Sequence, residues 1–230
     1  MKSISSSIID GIDSRVNVPV EKDEMVEKAV TQFINELPAV TNLNAKESYA
    51  HYFSLDAPAL IPMQIDLVLQ RLLNTPYKLN ADIGLYVSTL IQRSYDDGHN
   101  GFALHTQDFP VHELCCQIKG SEGKRLNITV YGDTGVYTGN SARWISCKHD
   151  GNADAGYFYG AEDTMISVSG RVADTMLHHA KRTVLLTTNQ ETFLLSKVSM
   201  GARHDNNSFF LLDSAGRFLE SHSAPQEALK

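Results

Sequence analysis

Glycine returns every 19 residues in the second half of this chain. Gly132, Gly151 and Gly170 are spaced by 19 and 19, and one more step reaches Asn189. Asparagine is among the residues that best replace glycine in left-handed backbone. A fixed period indicates repeated structure, and this one is too short for a helical-hairpin repeat of over about 30 residues. The spacing predicts a chain that turns the same corner several times.

Short extended segments keep the same step. Residues 164–167 align with residues 183–186 when the sequence is shifted by 19 positions. About 19 residues of extended chain with two or three tight turns suit one rung of a parallel β-helix, whose stacked rungs share an apolar interior. Strand-like runs separated by Gly, Asn and Asp are predicted at 101–104, 126–131, 143–147, 164–168, 183–187 and 208–212.

The turns between these segments also match one another. Residues 156–161 align with residues 175–180 at a shift of 19 positions. They match residues 135–140 if two further positions are allowed. This alignment predicts an inward stack of Tyr137, Phe158 and Leu177, with Tyr157 and Tyr159 outside as a contact surface. The predicted structural turn residues are Gly132, Gly135, Gly139, Gly151, Gly156, Gly160 and Gly170.

Two stretches, G-D-T-G-V-Y-T-G and G-N-A-D-A-G-Y-F-Y-G-A, resemble a known repeat. It is the G-x-x-G-x-x-x-G repeat of the β-helix at the C-terminal end of the glutamate synthase large subunit, and one subunit of formylmethanofuran dehydrogenase is similar. The resemblance covers roughly residues 102–212, with departures at His179 and in the polar insert at 202–207. It implies a right-handed β-helix that holds domains or subunits together and has no catalytic residues.

The first hundred residues follow a different pattern. Apolar spacing of three and four residues predicts helices near 25–37, 61–74 and 82–95, with a short one at 46–53. No amphipathic helix is expected after residue 100. The predicted division is a flexible segment at 1–18, a helical domain at 19–99, a parallel β-helix at 100–216 and a tail at 217–230. The expected fold class is α+β, with a small N-terminal helical domain and a right-handed parallel β-helix of four to five rungs of about 19 residues.

Composition argues against several classes of partner. The chain has 20 basic and 27 acidic residues, a net charge of −7, and no dense basic cluster. Nucleic acid and anionic membrane are therefore not expected as partners. The start lacks the apolar run of a secretory signal, and no stretch approaches a membrane span. Three cysteines are an odd count that indicates reduced thiols, so a cytoplasmic protein is expected.

Few side chains offer chemistry. Cys147 and His149 lie two apart and would share one face of a strand, where a His could activate a thiolate. The repeat puts Cys147 on the inward side, which favours a buried thiol acting as a small apolar group. Adjacent His178 and His179 diverge on a strand, so no metal is expected. The fragment 120–125 has the wrong spacing for a phosphate loop, so no cofactor is expected either.

Two functions follow from these observations. The first is a non-enzymatic scaffold or protein-interaction module within a larger complex, bound to a protein partner or to itself. The alternative is a small enzyme, either cysteine-dependent through Cys147 and His149 or carbohydrate-acting through exposed tyrosines.

Overall fold

A computed structural model of the chain describes residues 23–41, 43–75, 80–199 and 206–223. The flexible segment predicted at 1–18 lies outside these residues. The helices are α1 (Glu24–Val40), α2 (Ala45–Ser54), α3 (Pro62–Leu73), α4 (Asn80–Asp96) and α5 (Gln190–Ser199). The strands are β1 (Gly101–Val111), β2 (Leu126–Thr134), β3 (Ile145–Asp150), β4 (Met165–Val168), β5 (Val184–Thr187), β6 (Ser208–Leu212) and β7 (Phe218–Ser223).

The four helices predicted before residue 100 are all present. Asp23 caps α1 by accepting hydrogen bonds from the backbone N–H groups of Met25 and Val26. Asn44 and Glu47 form a capping box at the start of α2. Pro62 is the first residue of α3, where a backbone N–H would have no partner within the helix, so no helical hydrogen bond is lost. Local capping and apolar spacing therefore account for this part of the fold.

All seven strands described belong to one sheet, in the order β1 to β7. Neighbours from β1 to β6 are parallel, and β7 turns back antiparallel to β6. Cys147 on β3 pairs with Ile128 on β2 and Ile166 on β4, and Ile166 pairs with Leu185. Each of these steps is 19 residues, so the period in the sequence is the register of the central strands.

The predicted fold class is wrong. The described residues form an α/β arrangement of one mixed, mostly parallel sheet and five helices, and not an α+β protein built on a right-handed parallel β-helix. The helices and the sheet bury their apolar side chains in one continuous core, since α3 packs on β1 and α4 leads into it. The predicted boundary near residue 100 falls between Asp96 and Gly101, and the division into domains stays a prediction.

The C-terminal part departs from the predictions in two further ways. Asn189 does not repeat the glycine corner, because its side chain accepts the N–H of Thr192 and caps α5. The helix places Phe193 in the core beside His222 of β7. The prediction of no helix after residue 100 is wrong, because α5 forms there. The prediction of a loose end is wrong for β7, and residues 224–230 of the predicted tail lie outside the described residues.

Candidate functional site

The repeated glycines are sites of tight backbone packing. A Cβ on Gly151 would lie 2.1 Å from the carbonyl oxygen of Gly132, and one on Gly170 would lie 2.1 Å from that of Gly151. Gly156 instead has a φ of +74°, a left-handed conformation that glycine adopts without strain. Two separate physical causes therefore lie behind the glycine pattern.

Four of the seven turn glycines do not have a free N–H group to cradle a phosphate. Their N–H groups already donate to protein oxygens of neighbouring segments. The pairs are Gly135 with Val111 O, Gly139 with Leu114 O, Gly156 with Thr175 Oγ1 and Gly160 with His178 O. A phosphate site needs such N–H groups converging on the ligand. The glycine-rich stretch therefore serves packing between segments.

Cys147 and His149 share the buried face of β3, but a tyrosine separates their functional groups. The Nε2–H of His149 donates to Gly132 O at 2.9 Å, which leaves Nδ1 to accept from the hydroxyl of Tyr157 at 3.1 Å. The Tyr157 hydroxyl also interacts with the thiol of Cys147, which opposes the rise in the pKa of that thiol. Because Nδ1 is taken by Tyr157, the imidazole does not act directly on the sulfur.

Burial keeps both groups of this pair neutral. It raises the pKa of Cys147 to about 12 and lowers the pKa of His149. At neutral pH the Cys147 thiol is then almost entirely protonated. Neither group is in the charged form that a cysteine nucleophile and its base require.

The predicted contact surface is corrected for Tyr157. This side chain is fully buried, while Tyr137, predicted to point inward, is 47% exposed. The shift of two residues is wrong, because the 19-residue step continues unchanged through the turns. A Cβ on Gly156 would meet the ring of Tyr137 at 2.5 Å, so these two positions stack on one another. Tyr159 remains partly exposed.

Tyr159 belongs to a small aromatic cluster on the surface. Its ring stacks on His178 at 5.4 Å and meets His179 edge-on at 5.3 Å. Tyr137 lies 6.4 Å away on the other side. The adjacent histidines were expected to diverge, yet both contact one tyrosine because the chain turns sharply here, with His179 at a φ of +61°. No group of three His, Cys, Asp or Glu side chains in the described residues is arranged for a metal.

Two carboxyl groups lie between the helices and the sheet, and no pattern in the sequence indicated them. Burial raises the pKa of both Asp82, at the start of α4, and Glu113, just after β1. The hydroxyl of Tyr49 interacts with Glu113, which opposes this rise in its pKa, and accepts a hydrogen bond from the side-chain amide of Asn140 at 3.3 Å. One oxygen of Glu113 is buried without a hydrogen-bond partner. Perturbed carboxyls often mark functional sites, but the pKa of both is raised first by burial, and no described pocket is lined by either.

Several apolar side chains lie on the outward side of the sheet. Met165, Leu186 and Phe210 point away from the core on three neighbouring strands, and we call them the outer sheet face. Met165 is 43% exposed, and Leu186 and Phe210 are partly exposed. A shallow groove of about 190 Å³ runs from Met165 and Leu186 to Thr129 and Lys148, where the surface becomes polar.

The hairpin that follows extends this exposure. Phe218 and Leu219 on β7 are 61% and 58% exposed, and the ring of Phe218 lies 6.4 Å from that of Phe210. Exposed aromatic and aliphatic side chains that adjoin one another are typical of protein contact sites. Sequence reasoning missed this surface because it weighed only the aromatic turns.

No protein-family model, curated protein or solved structure matches this chain. The resemblance to the glutamate synthase domain therefore stays a prediction. None of the helices described is long and apolar enough to cross a membrane.

Proposed function

We propose that this chain is a non-enzymatic protein-interaction module that acts as a scaffold within a larger complex. The observation that carries the proposal is the outer sheet face, Met165, Leu186 and Phe210, which continues into the exposed side chains of β7. Contiguous exposed apolar surface is uncommon on a monomer unless it binds something.

The chemistry of this surface defines the partner. Its apolar part borders Lys148, an exposed cation on the same side of the sheet. A complementary partner would present apolar side chains with an acidic group at one edge. A structural role is also what the resemblance to the glutamate synthase domain implies.

The alternative, a cysteine-dependent enzyme, is disfavoured by the geometry around Cys147. The thiol is buried, and Tyr157 occupies the nitrogen of His149 that would serve as base. The alternative that acts on carbohydrate loses Tyr157, which is buried, and keeps Tyr137 and Tyr159 at the surface.

Thiol reactivity tests this distinction. In the folded protein at neutral pH we expect Cys147 to resist a disulfide reagent such as Ellman's reagent, because burial raises its pKa to about 12. All three cysteines should react after unfolding in urea. A Met63→Cys variant serves as the control, since Met63 is 66% exposed and a thiol there should react at once. Rapid labelling of native Cys147, found by peptide mapping, would contradict the buried neutral thiol.

Loss of a bound partner tests the interaction module. We expect a tagged chain, purified from its own cells, to carry a stoichiometric protein partner. Met165→Lys should reduce the recovered partner at least tenfold, because it replaces an exposed apolar side chain of the outer sheet face with a charge. Met63→Lys is the matched control, since it makes the same change on an exposed position of α3.

Quantitative mass spectrometry of the purified material gives the readout. Equal partner recovery with both lysine variants, or no partner with the unmodified chain, would refute the proposal.

A further inference from the structure

The connection between α4 and β1 contains the only Asn-Gly pair in the sequence, Asn100-Gly101. Asparagine is a chemically labile residue, because the backbone nitrogen that follows it can attack its side-chain carbonyl carbon, Cγ, and close a five-membered ring. Glycine in the second position favours this attack, since it has no Cβ to hinder the approach and its backbone adapts most easily. The reaction in a folded protein requires that both groups are free.

The side chain of Asn100 is free to reach its neighbour. It is exposed and makes no hydrogen bond in the part of the chain that the structure describes. Helix α4 ends at Asp96, and the N–H of His99 closes the following turn by donating to Ser94 O at 3.1 Å. Asn100 comes after this turn and before the first residue of β1, so no regular element fixes its carboxamide.

The backbone nitrogen of Gly101 is free as well. Asn127 on β2 pairs with Gly101 and donates its N–H to Asn100 O at 2.7 Å. In a parallel ladder this pattern directs the N–H and C=O of Gly101 away from β2. β1 is the first strand of the sheet, and among the described residues the Gly101 N–H has no hydrogen-bond partner. A Cβ at Gly101 would meet nothing within 4 Å, so this side of the chain is open.

Two Asn-Ser pairs in the same protein show the opposite arrangement. The side chain of Asn207 is fully buried and accepts the N–H of Thr183 at 2.8 Å, while the N–H of Ser208 donates to Thr183 O at 3.0 Å. The side-chain amide of Asn140 and the backbone N–H of Ser141 likewise both donate hydrogen bonds. In each pair the two groups that would react are already engaged.

We infer that Asn100 is a site of spontaneous modification, at which attack by the Gly101 nitrogen leads to isoaspartate and releases the hydrogen bond from Asn127. The Gly101 nitrogen loses its proton to solvent and bonds to Cγ of Asn100, and the Cγ–Nδ2 bond breaks with release of ammonia. Water then opens the succinimide ring. Opening at Cγ gives aspartate, and opening at the main-chain carbonyl carbon gives isoaspartate. The inference is independent of the proposed interaction function.

The isoaspartate product changes the start of the sheet. Its main chain runs through Cβ and Cγ and is therefore one atom longer at residue 100. The carbonyl group that accepts the Asn127 N–H is then displaced. This hydrogen bond adjoins the Gly101–Asn127 pair, where the register of β1 with β2 begins. The aspartate product keeps the original main chain and with it the hydrogen bond.

Ageing the purified chain at mildly alkaline pH tests the site. Peptide mapping by mass spectrometry should show Asn100 converting about tenfold faster than Asn140 and Asn207 in the same sample, and an isoaspartate methyltransferase should label the product. Gly101→Ala is the matched variant, because its Cβ has room and the φ of residue 101 is not left-handed. It should slow the conversion of Asn100 about tenfold.

Hydrogen exchange tests the structural consequence. In aged material enriched in isoaspartate, the Asn127 N–H should exchange about tenfold faster than in fresh protein, because its acceptor has moved. Freshly prepared Asn100→Asp is the matched control, since it contains the other product and should exchange like the unmodified chain.

Three results would overturn the inference. They are conversion of Asn100 no faster than that of Asn140 and Asn207, conversion unaffected by Gly101→Ala, and equal protection of the Asn127 N–H in the isoaspartate and aspartate forms.

Discussion

Gly151→Ala should lower the free energy of unfolding by about 3 kcal/mol or more, the upper range for overpacking a close-packed interior. The new Cβ would lie 2.1 Å from the carbonyl oxygen of Gly132 and 2.5 Å from its carbonyl carbon. Both atoms belong to the backbone of the neighbouring segment, so no side chain can rotate to make room. The segments would have to separate, and with them the strands β2 and β3.

Urea unfolding followed by the fluorescence of Trp144 measures the effect. Gly123→Ala is the control, because a Cβ there would meet nothing within 4 Å. It should change the stability by less than about 0.5 kcal/mol. Similar losses for both variants would show that residue 151 is not a point of close backbone approach.

The glycine spacing in the sequence predicted where neighbouring segments repeat, but it did not show why glycine is required at each position. Gly132, Gly151 and Gly170 were expected at one kind of turn. Gly132 has a φ of +102°, whereas Gly151 and Gly170 are glycines because a neighbouring carbonyl leaves no room for Cβ. A single sequence shows only that the side chain is missing. Whether a glycine is required by a positive φ or by a close neighbour depends on the distance to a segment 19 residues away.

The C-terminal end shows a different limit. Residues 190–199 have weak amphipathic spacing, and their helix depends on the cap from Asn189 and on the burial of Phe193 against β6 and β7. Tertiary contacts of this kind override local propensity. The same holds for Asp82 and Glu113, which lie 31 positions apart in the sequence, although in the fold Asp82 is near enough to raise the pKa of Glu113. The helices with strong caps and regular apolar spacing were predictable because local sequence is sufficient to specify them.

Tyr137 was predicted inside and is exposed, and Tyr157 was predicted outside and is buried. Both errors come from one alignment step. Matching glycine to glycine aligned Gly156 with Gly135 and required the shift of two residues. The structure instead matches a large side chain to a glycine at each of two places. Tyr137 lies against Gly156, and the ring of Phe158 would be 2.6 Å from a Cβ on Gly139. Complementary volumes, and not identical residues, keep the 19-residue step constant through the turns.

Phe158→Ala should therefore cost about 3 to 5 kcal/mol, the range for removing a fully buried aromatic ring. Phe158 is fully buried, contacts Tyr157 edge-on at 4.9 Å, and fills the space above Gly139. Tyr137→Ala removes a ring of similar size that is 47% exposed, and it should cost about 1 kcal/mol.

The pair is measured by urea unfolding under identical conditions, so that the difference between the variants does not depend on extrapolation. The alignment with a two-residue shift predicts equal losses, because it places both rings in one inward stack. A loss for Tyr137→Ala as large as that for Phe158→Ala would restore that alignment. A difference of about 2 kcal/mol or more would establish that the step passes through the turns without interruption, with Phe158 over Gly139 inside the protein and Tyr137 over Gly156 outside.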